Sequence, residues 1–475
     1  MTLPGRSTNI LDEEASTSTP SGTDALGVAA LAHKGPTDKP VEVRDMTRLV
    51  NTFGPEQTYS TLHTYARAFF SHGGARLIVS RYVGATPVKA TLALAASSGT
   101  SLYVDAVTAG EWGNGASGGL TAEVIAADAA RILIIKYGGV EVERSAALTT
   151  QAAFVTAFAN SSYVRVRVGG GTGLPVVAAS ASLAGGDTDL THATDTEAAA
   201  ALNRIDGDFG CMQVALVDRT SDTAHQALAA HVAAYMGRRF ALQDATLGQS
   251  VGTLETAATA AAPGDARRFV QLWAPQSPLV EGSVQGTTTA VQSSAVVAGL
   301  LARIDRTYGP SQPPIGDLGV TDALSVVVEY GDADRETLND TGVNVMKTED
   351  RVIKLYSART LASTVTDQQW VQSSRSREVM RLYSLLDPIQ RAHFGRRVDP
   401  LGIETGGLAR DLEGVLLREW QSGALDGATA EDAYSIQITV DRSDPVTATV
   451  TTDISVSTDR FAERLVLNFN HRLGA

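Results

Sequence analysis

Two carboxylates, Asp218 and Asp244, stand just past apolar stretches that read as strands. Paired aspartates at the carboxyl ends of parallel strands can hold a magnesium ion. No glycine-rich phosphate loop, Walker motif or nucleophile accompanies them, so the competing reading is helix caps and polar rim. Gly115-Ala116-Ser117-Gly118-Gly119 fits the G-x-S-x-G of a serine hydrolase by letter. A nucleophile elbow needs a helix after the serine, whereas residues 120–125 alternate as a strand. Gly169-Gly170-Gly171-Thr172-Gly173 follows a strand as a dinucleotide loop does, but the spacing is wrong and Leu174-Pro175 opens no helix, so a flexible loop is expected. His63 and His72 have no third ligand near in sequence, which favours surface or capping roles over a metal. Asp332, Asp334, Glu336 and Asp340 imitate a calcium loop but lack its glycine and its final glutamate, and a solvated loop is expected. Cys211, the single cysteine, heads an apolar run and reads as a small buried hydrophobe. The expectation is a protein that is not an enzyme and holds no metal or cofactor.

The elements around these residues alternate. Strands are expected at 211–217, 239–243 and 268–273, each followed by a helix, at 223–235, 251–262 and 288–304. Serial strand–helix pairs predict a parallel sheet covered on both faces. A strand at 26–31, a helix at 59–70 and a strand at 76–83 precede them. From residue 91 short strands crowd together at 102–107, 120–125, 131–136, 140–144 and 163–168, with one helix near 149–159. This reads as a β-rich insertion. The expected fold class is α/β, α+β overall. The expected units are an N-terminal extended arm 1–22, a discontinuous α/β domain 23–90 plus 187–310, the insertion 91–186, a C-terminal α+β domain 311–462, and a terminal arm strand 463–475.

Bulk composition narrows the function classes. A chain of 475 residues exceeds one ordinary core. Its net charge of −13 argues against a general nucleic-acid binder. No apolar run is long enough to span a membrane, and the first twenty residues lack the apolar core of a Sec signal, so a cytoplasmic origin is expected.

The C-terminal quarter carries the clearest patterning. Leu408, Leu412, Val415, Leu416 and Trp420 recur at helical spacing, with Gly423 where a left-handed cap is wanted. Asp426-Gly427 marks a turn, and Thr429 with Asp432 forms a weak capping box. Tyr434, Ile436, Ile438 and Val440 then alternate with polar residues as a half-buried strand. A second alternating strand, with Leu465, Leu467 and Phe469, closes the chain and raises the question of what pairs its backbone. At the other end, Ile10-Leu11 lies in a polar stretch that is either a frayed terminus or an arm ordered by a receiver. Between Arg351 and Arg397 nine basic residues face three acidic ones, which is either a solvated helix face or a contact surface for an acidic partner.

Several stretches, in this order, resemble contractile tail sheath proteins. They are GVAALAHKGPTDKPVEVRDMTRLVNTFGP at 27–55, YARAFFSHGGARLIVSRYVG at 65–84, AGEWGNGASGGLTAEV at 109–124, ASLAGGDTDL at 181–190, Leu338-Asn339 with Gly342-Val343-Asn344 and Ser357 to Leu361, and WQSGALDGATAEDAYSIQI at 420–438. Tyr356-Ser357 replaces the family's usual Trp-Gly. The resemblance implies a structural subunit that stacks as hexameric rings around a tail tube and contracts to drive the tube through a host envelope, without membrane insertion of its own. It implies itself, a tail tube protein, and baseplate and tail terminator proteins as partners, and a place in a phage tail assembled in bacterial cytoplasm. It implies that Ile10, Leu11, Leu465, Leu467 and Phe469 lie on arms exchanged between subunits, received by a sheet containing Tyr434, Ile436, Ile438 and Val440. It makes Arg375, Arg377, Arg381, Arg391 and Arg396 candidates to face the tube. The rival readings are a tailocin or extracellular injection-system sheath, a shell protein with exchanged arms, and a soluble α/β enzyme using Asp218 and Asp244.

Overall fold

The computed structural model describes residues 24–284, 286–362, 366–393, 403–441, 443 and 449–457. Seven strands form the main sheet: β1 (Ala25–Leu31), β2 (Val41–Val43), β3 (Arg76–Tyr82), β4 (Met212–Leu216), β5 (Arg239–Asp244), β6 (Val270–Trp273) and β7 (Val343–Asn344). Their order across the sheet is β7-β6-β5-β4-β1-β3-β2, parallel throughout except for β2, which runs antiparallel to β3 at the edge. Every residue of β1, β4, β5 and β6 is buried, which is why those stretches are mainly apolar without alternation, Gln213, Arg239, Gln243, Asp244 and Gln271 being the buried polar exceptions.

Helices α2 (Asp222–Ala234) and α3 (Ser293–Thr307) pack on this sheet, and α1 (Leu62–Ser71) packs against α3. The crossing of α1 and α3 is close enough to require Gly299: a Cβ there would lie 2.4 Å from the Phe69 carbonyl oxygen. The expected helix at 288–304 begins later, at Ser293; Thr288–Ala290 instead pairs as a strand with Pro278–Glu281. The β-branched threonines before the serines favour the extended form. The acidic stretch expected as a solvated loop is a helix, α4 (Asp332–Asp340). Asp332 and Asp334 sit in its first turn, where negative charge is favoured, and buried Leu338 anchors it.

The first core runs past the expected boundary at residue 310. It takes in β7 and continues through Ile353, Leu355 and Leu361 to Met380. Val343 and Asn344 complete the parallel sheet beside β6, a non-local pairing that the proline-rich stretch before it does not reveal.

Residues 90–183 close a second core around Trp112, Phe154 and Phe158, between a three-stranded and a four-stranded antiparallel sheet. Its two connecting strands bridge at Val88–Asp187 and Thr91–Ala184. Arg81, fully buried at the end of β3, ties this neck to the body by donating to the carbonyls of Ala32 (2.9 Å), Gly35 (3.0 Å) and Ala109 (3.1 Å). The Lys34 ammonium lies 5.1 Å from the ring centre of Tyr137 in the module, a cation–π contact across the same boundary.

A third core joins α5 (Ser373–His393), α6 (Ile403–Gln421) and an antiparallel hairpin of β8 (Tyr434–Asp441) and β9 (Thr449–Val456). The stripe residues Leu408, Leu412 and Leu416 are buried, with Val415 and Trp420 packed beside them. Helix α5 continues through Pro388 rather than restarting there. It serves two cores, with Met380 in the first and Leu382 and Leu386 in the third.

Candidate assembly site

The strand ends, where a doubly wound sheet would take a ligand, are filled by the chain's own side chains. Asp218, in the left-handed region at φ 60°, accepts from the Thr61 amide (2.8 Å) and hydroxyl (2.5 Å) at the start of α1. Asp244 accepts from the Ser294 amide (2.9 Å) in the first turn of α3 and from the Gln292 side-chain amide (3.3 Å). Gln292 also accepts from the Asp218 amide (2.8 Å), so one side chain joins the two aspartates. Burial pushes the Asp244 carboxyl up to about 6. Both aspartates thus hold helix starts, the capping alternative of the two readings. Among the described residues no group of three or more His, Cys, Asp or Glu is placed to hold a metal ion.

The other chemistry-bearing strings are also occupied structurally. Ser117 lies in a short 3-10 turn, and a strand, Leu120–Ala127, follows it instead of a helix. In the glycine-rich loop the amides of Gly169 and Gly171 donate to the carbonyls of Ser101 and Thr100, both at 2.7 Å, so the loop is tied to a strand and those amides are not available to a phosphate. His63 and His72 are buried, not on the surface: His63 Nε2 meets the Gly54 carbonyl at 2.8 Å, and His72 accepts from the Asp322 amide at 3.0 Å. Burial raises the Cys211 thiol to about 11. No described helix is long and apolar enough to cross a membrane.

The C-terminal hairpin is the better-built surface. Its strands are in register over eight pairs from Tyr434 with Val456 to Asp441 with Thr449. Tyr434, Ile436 and Ile438 face the third core with Val450, Ile454 and Val456, while Ser435, Gln437 and Thr439 are exposed. The entry into β8 is fixed locally. Gly423 takes φ 81° after α6, the Thr429–Asp432 capping box forms, and the Trp420 indole donates to the Gly427 carbonyl at 2.9 Å. Among the described residues the hairpin has no third strand, so each of its strands keeps an outer backbone edge. Sequence reasoning missed β9, although Val450, Ile454 and Val456 carry the alternating signal. Ile10, Leu11, Leu465, Leu467, Phe469 and Arg396 lie outside the described residues.

The remaining arginines do not form one face. Arg377 is fully buried, with its guanidinium on Asp305 and on the Gln312 carbonyl, so it is not a tube-facing residue. Arg381, one turn on, is a quarter exposed and ion-paired with Glu378 and Glu419. Residues four apart share a helix stripe, and α5 turns this stripe between the first and third cores. Arg375 is half-buried and donates to the Gln369 carbonyl at 2.8 Å; Arg391 is exposed beside Asp387. The sequence carried little signal for the buried pair, because Asp305 stands between Arg303 and Arg306 in the last turns of its helix and reads there as part of a charged end.

No protein-family model matches the sequence, and no curated protein matches it. Solved structures do match in fold. The sheath tail protein of Listeria innocua aligns at TM-score 0.64 and 13% identity, covering 90% of this chain and 94% of its own. The sheath tail protein of Desulfitobacterium hafniense aligns at 0.59 and 14%, covering 91% and 96%. The helical sheath of the anti-feeding prophage, in its contracted state, aligns at 0.53 and 16%, covering 99% of each chain. Identities this low carry the backbone architecture and not the side-chain chemistry. This chain has the mixed helix-and-sheet fold of the sheath tail proteins.

Proposed function

We propose that this chain is the structural subunit of a contractile tail sheath. It polymerises with itself as stacked hexameric rings around a tail tube and contracts to drive the tube through a host envelope. The observation that carries this reading is correspondence along the whole chain, 99% of both partners, with a helical sheath. Strand ends closed by capping side chains, with no ligand-holding cluster among the described residues, fit a structural role. The α/β-enzyme reading finds Asp218 and Asp244 already engaged.

In this reading the units are a terminal arm at 1–22, a module at 91–186 projecting from the body, and a final arm strand at 463–475. The outer edges of the hairpin receive arm strands from neighbouring subunits by strand addition, with Ile10 and Leu11 from one arm and Leu465, Leu467 and Phe469 from the other. Arg375 and Arg391 are the basic side chains of α5 left to meet an acidic tube surface. The tail tube, baseplate and tail terminator proteins are the partners, and the assembly belongs to a phage tail put together in bacterial cytoplasm. A sheath of a tailocin or injection system shares the architecture, and the anti-feeding prophage match favours keeping it as the second reading. Genome context separates the two.

Negative-stain electron microscopy of the purified protein, with and without a tube protein, tests the proposal. Hollow tubes with a regular helical repeat are expected, and deletion of 1–22 or 463–475 should leave folded subunits that form none. Normal tubes from either deletion overturn the arm assignment; monomers even on a tube template overturn the sheath reading.

A further inference from the structure

Where the first core meets the third, the chain leaves a cavity of about 520 Å3. The end of α3 supplies Asp305 and Arg306 to its wall, α5 supplies Arg381, and α6 with the turn that ends it supplies Arg418, Glu419 and Ser422. Asp24, the residue before β1, completes the wall. The volume lies in the range of ligand pockets, about 300–1,000 Å3, and far above the share of one water, about 30 Å3. Counting Arg377 and Glu378 behind it, four carboxyls balance four guanidiniums. Arg377 lies on Asp305, and Arg381 on Glu378 and Glu419. Two groups of opposite need are left. One oxygen each of Asp24 and Asp305 is buried with no hydrogen-bond donor. Arg306 and Arg418 are exposed at the mouth and have no ion-pair partner among the described residues. A charged occupant would upset the balance; the fitting one is neutral and carries donors and acceptors together.

We propose that this cavity is the seat of the chain's own residues Ser18-Thr19-Pro20-Ser21-Gly22-Thr23, which lie outside the described residues and join Asp24 at the cavity wall. Because Asp24 stands on the wall, the Cα of Thr23 is one step of about 3.8 Å away. The segment is uncharged, and four of its six residues carry hydroxyls, each a donor with two acceptor lone pairs. In extended form Thr19, Ser21 and Thr23 fall on one side. There they donate to the orphaned oxygens of Asp24 and Asp305 and accept from Arg306 and Arg418. Pro20 favours that form, since it fixes its own φ and biases Thr19 away from helix. Six extended residues reach about 20 Å, long enough to line a cavity of this volume from end to end. The stretch at the other terminus fits worse: residues 458–464 carry Asp459, Arg460, Glu463 and Arg464, charges that the balanced wall would have to take out of water. Seated in this way, residues 18–23 lace the first core to the third and fix where the N-terminal arm departs. The seat belongs to the single subunit and stands apart from the sheath reading.

Disulfide closure in the dilute full chain, with Cys211→Ser to remove the native thiol, tests the seat. Ser21→Cys/Ser422→Cys should close an intramolecular disulfide, read as a monomer mass with both thiols lost. Adding Thr19→Gly and Thr23→Gly keeps the tether length and removes the hydroxyls. Closure should then slow by about tenfold or more, since a seated segment is held at a higher effective concentration than a free tether. No closure, or an equal rate with the glycines, overturns the proposal. Disulfide-linked dimers would place a second copy's segment in the cavity and overturn it too. Should the cysteine variants not fold, hydrogen exchange on the dilute wild type decides. The amides of 18–23 should exchange about tenfold or more slower than in a free peptide of that sequence, by the same holding of the segment, and exchange at the peptide's rate overturns the seat.

Discussion

Asp305 and Arg377, 72 residues apart in the chain, form an ion pair in which neither side chain is exposed to solvent. The pair joins α3, a helix of the main sheet's layer, to α5, the helix that continues into the C-terminal core. Taking two charges out of water is costly, and removing one partner leaves the other uncompensated.

Arg377→Ala should destabilise the protein by about 3–5 kcal/mol at pH 8. The loss should be smaller at pH 5.5, because an unpaired Asp305 escapes its buried charge by taking a proton. Urea denaturation at the two pH values measures both.

The neck of the inserted module depends on Arg81. Arg81→Met leaves the carbonyls of Ala32, Gly35 and Ala109 without their donor, and about 3 kcal/mol or more should be lost. Limited proteolysis should then cut at 84–90 while β4 to β6 stay protected.

The module's core should fail separately from the body's. Phe154 is fully buried in the second core, and Phe154→Ala should cost about 3–5 kcal/mol there. Hydrogen exchange should accelerate in 120–137 and not in 212–216.

On the third core the readout is assembly. Leu412→Ala or Leu416→Ala removes a buried contact beneath the hairpin at about 2–5 kcal/mol. Far-ultraviolet circular dichroism should keep the main-sheet signal while tube formation under the electron microscope is lost.

Acid should weaken the body through its buried imidazoles. Burial, with Arg239 nearby, holds His231 down to about 3, and its ring packs 5.0 Å from that of Tyr235. A depressed value means stability that is present above the ordinary histidine range and lost as pH falls from there toward 3. His231→Leu should flatten the decline of melting temperature between pH 6.5 and pH 4, measured by calorimetry.

Much of the fold was readable because it rests on local periodicity. The strands β1, β4, β5 and β6 announce themselves as short, mainly apolar runs without alternation, as strands buried on both faces do, and the stripe Leu408-Leu412-Leu416 announces itself through helical spacing. Gly423 and the Thr429–Asp432 box were readable for the same reason: caps act within one turn. The acidic stretch 332–340 misled, because charge suggests a loop while first-turn aspartates equally start a helix.

Which side a residue faces once two elements meet is a different matter. Nine basic residues against three acidic ones in 351–397 suggested an outward surface. Folding turned Arg377 inward onto Asp305 and gave Arg381 to Glu419, carboxylates far away in the chain. Val343 and Asn344 likewise became the seventh strand only by meeting β6. Spacing along a chain records the period of an element. The partner that neutralises a charge or completes a sheet is set by long-range packing, and for Asp305, Arg377 and Val343 only the folded chain decided it.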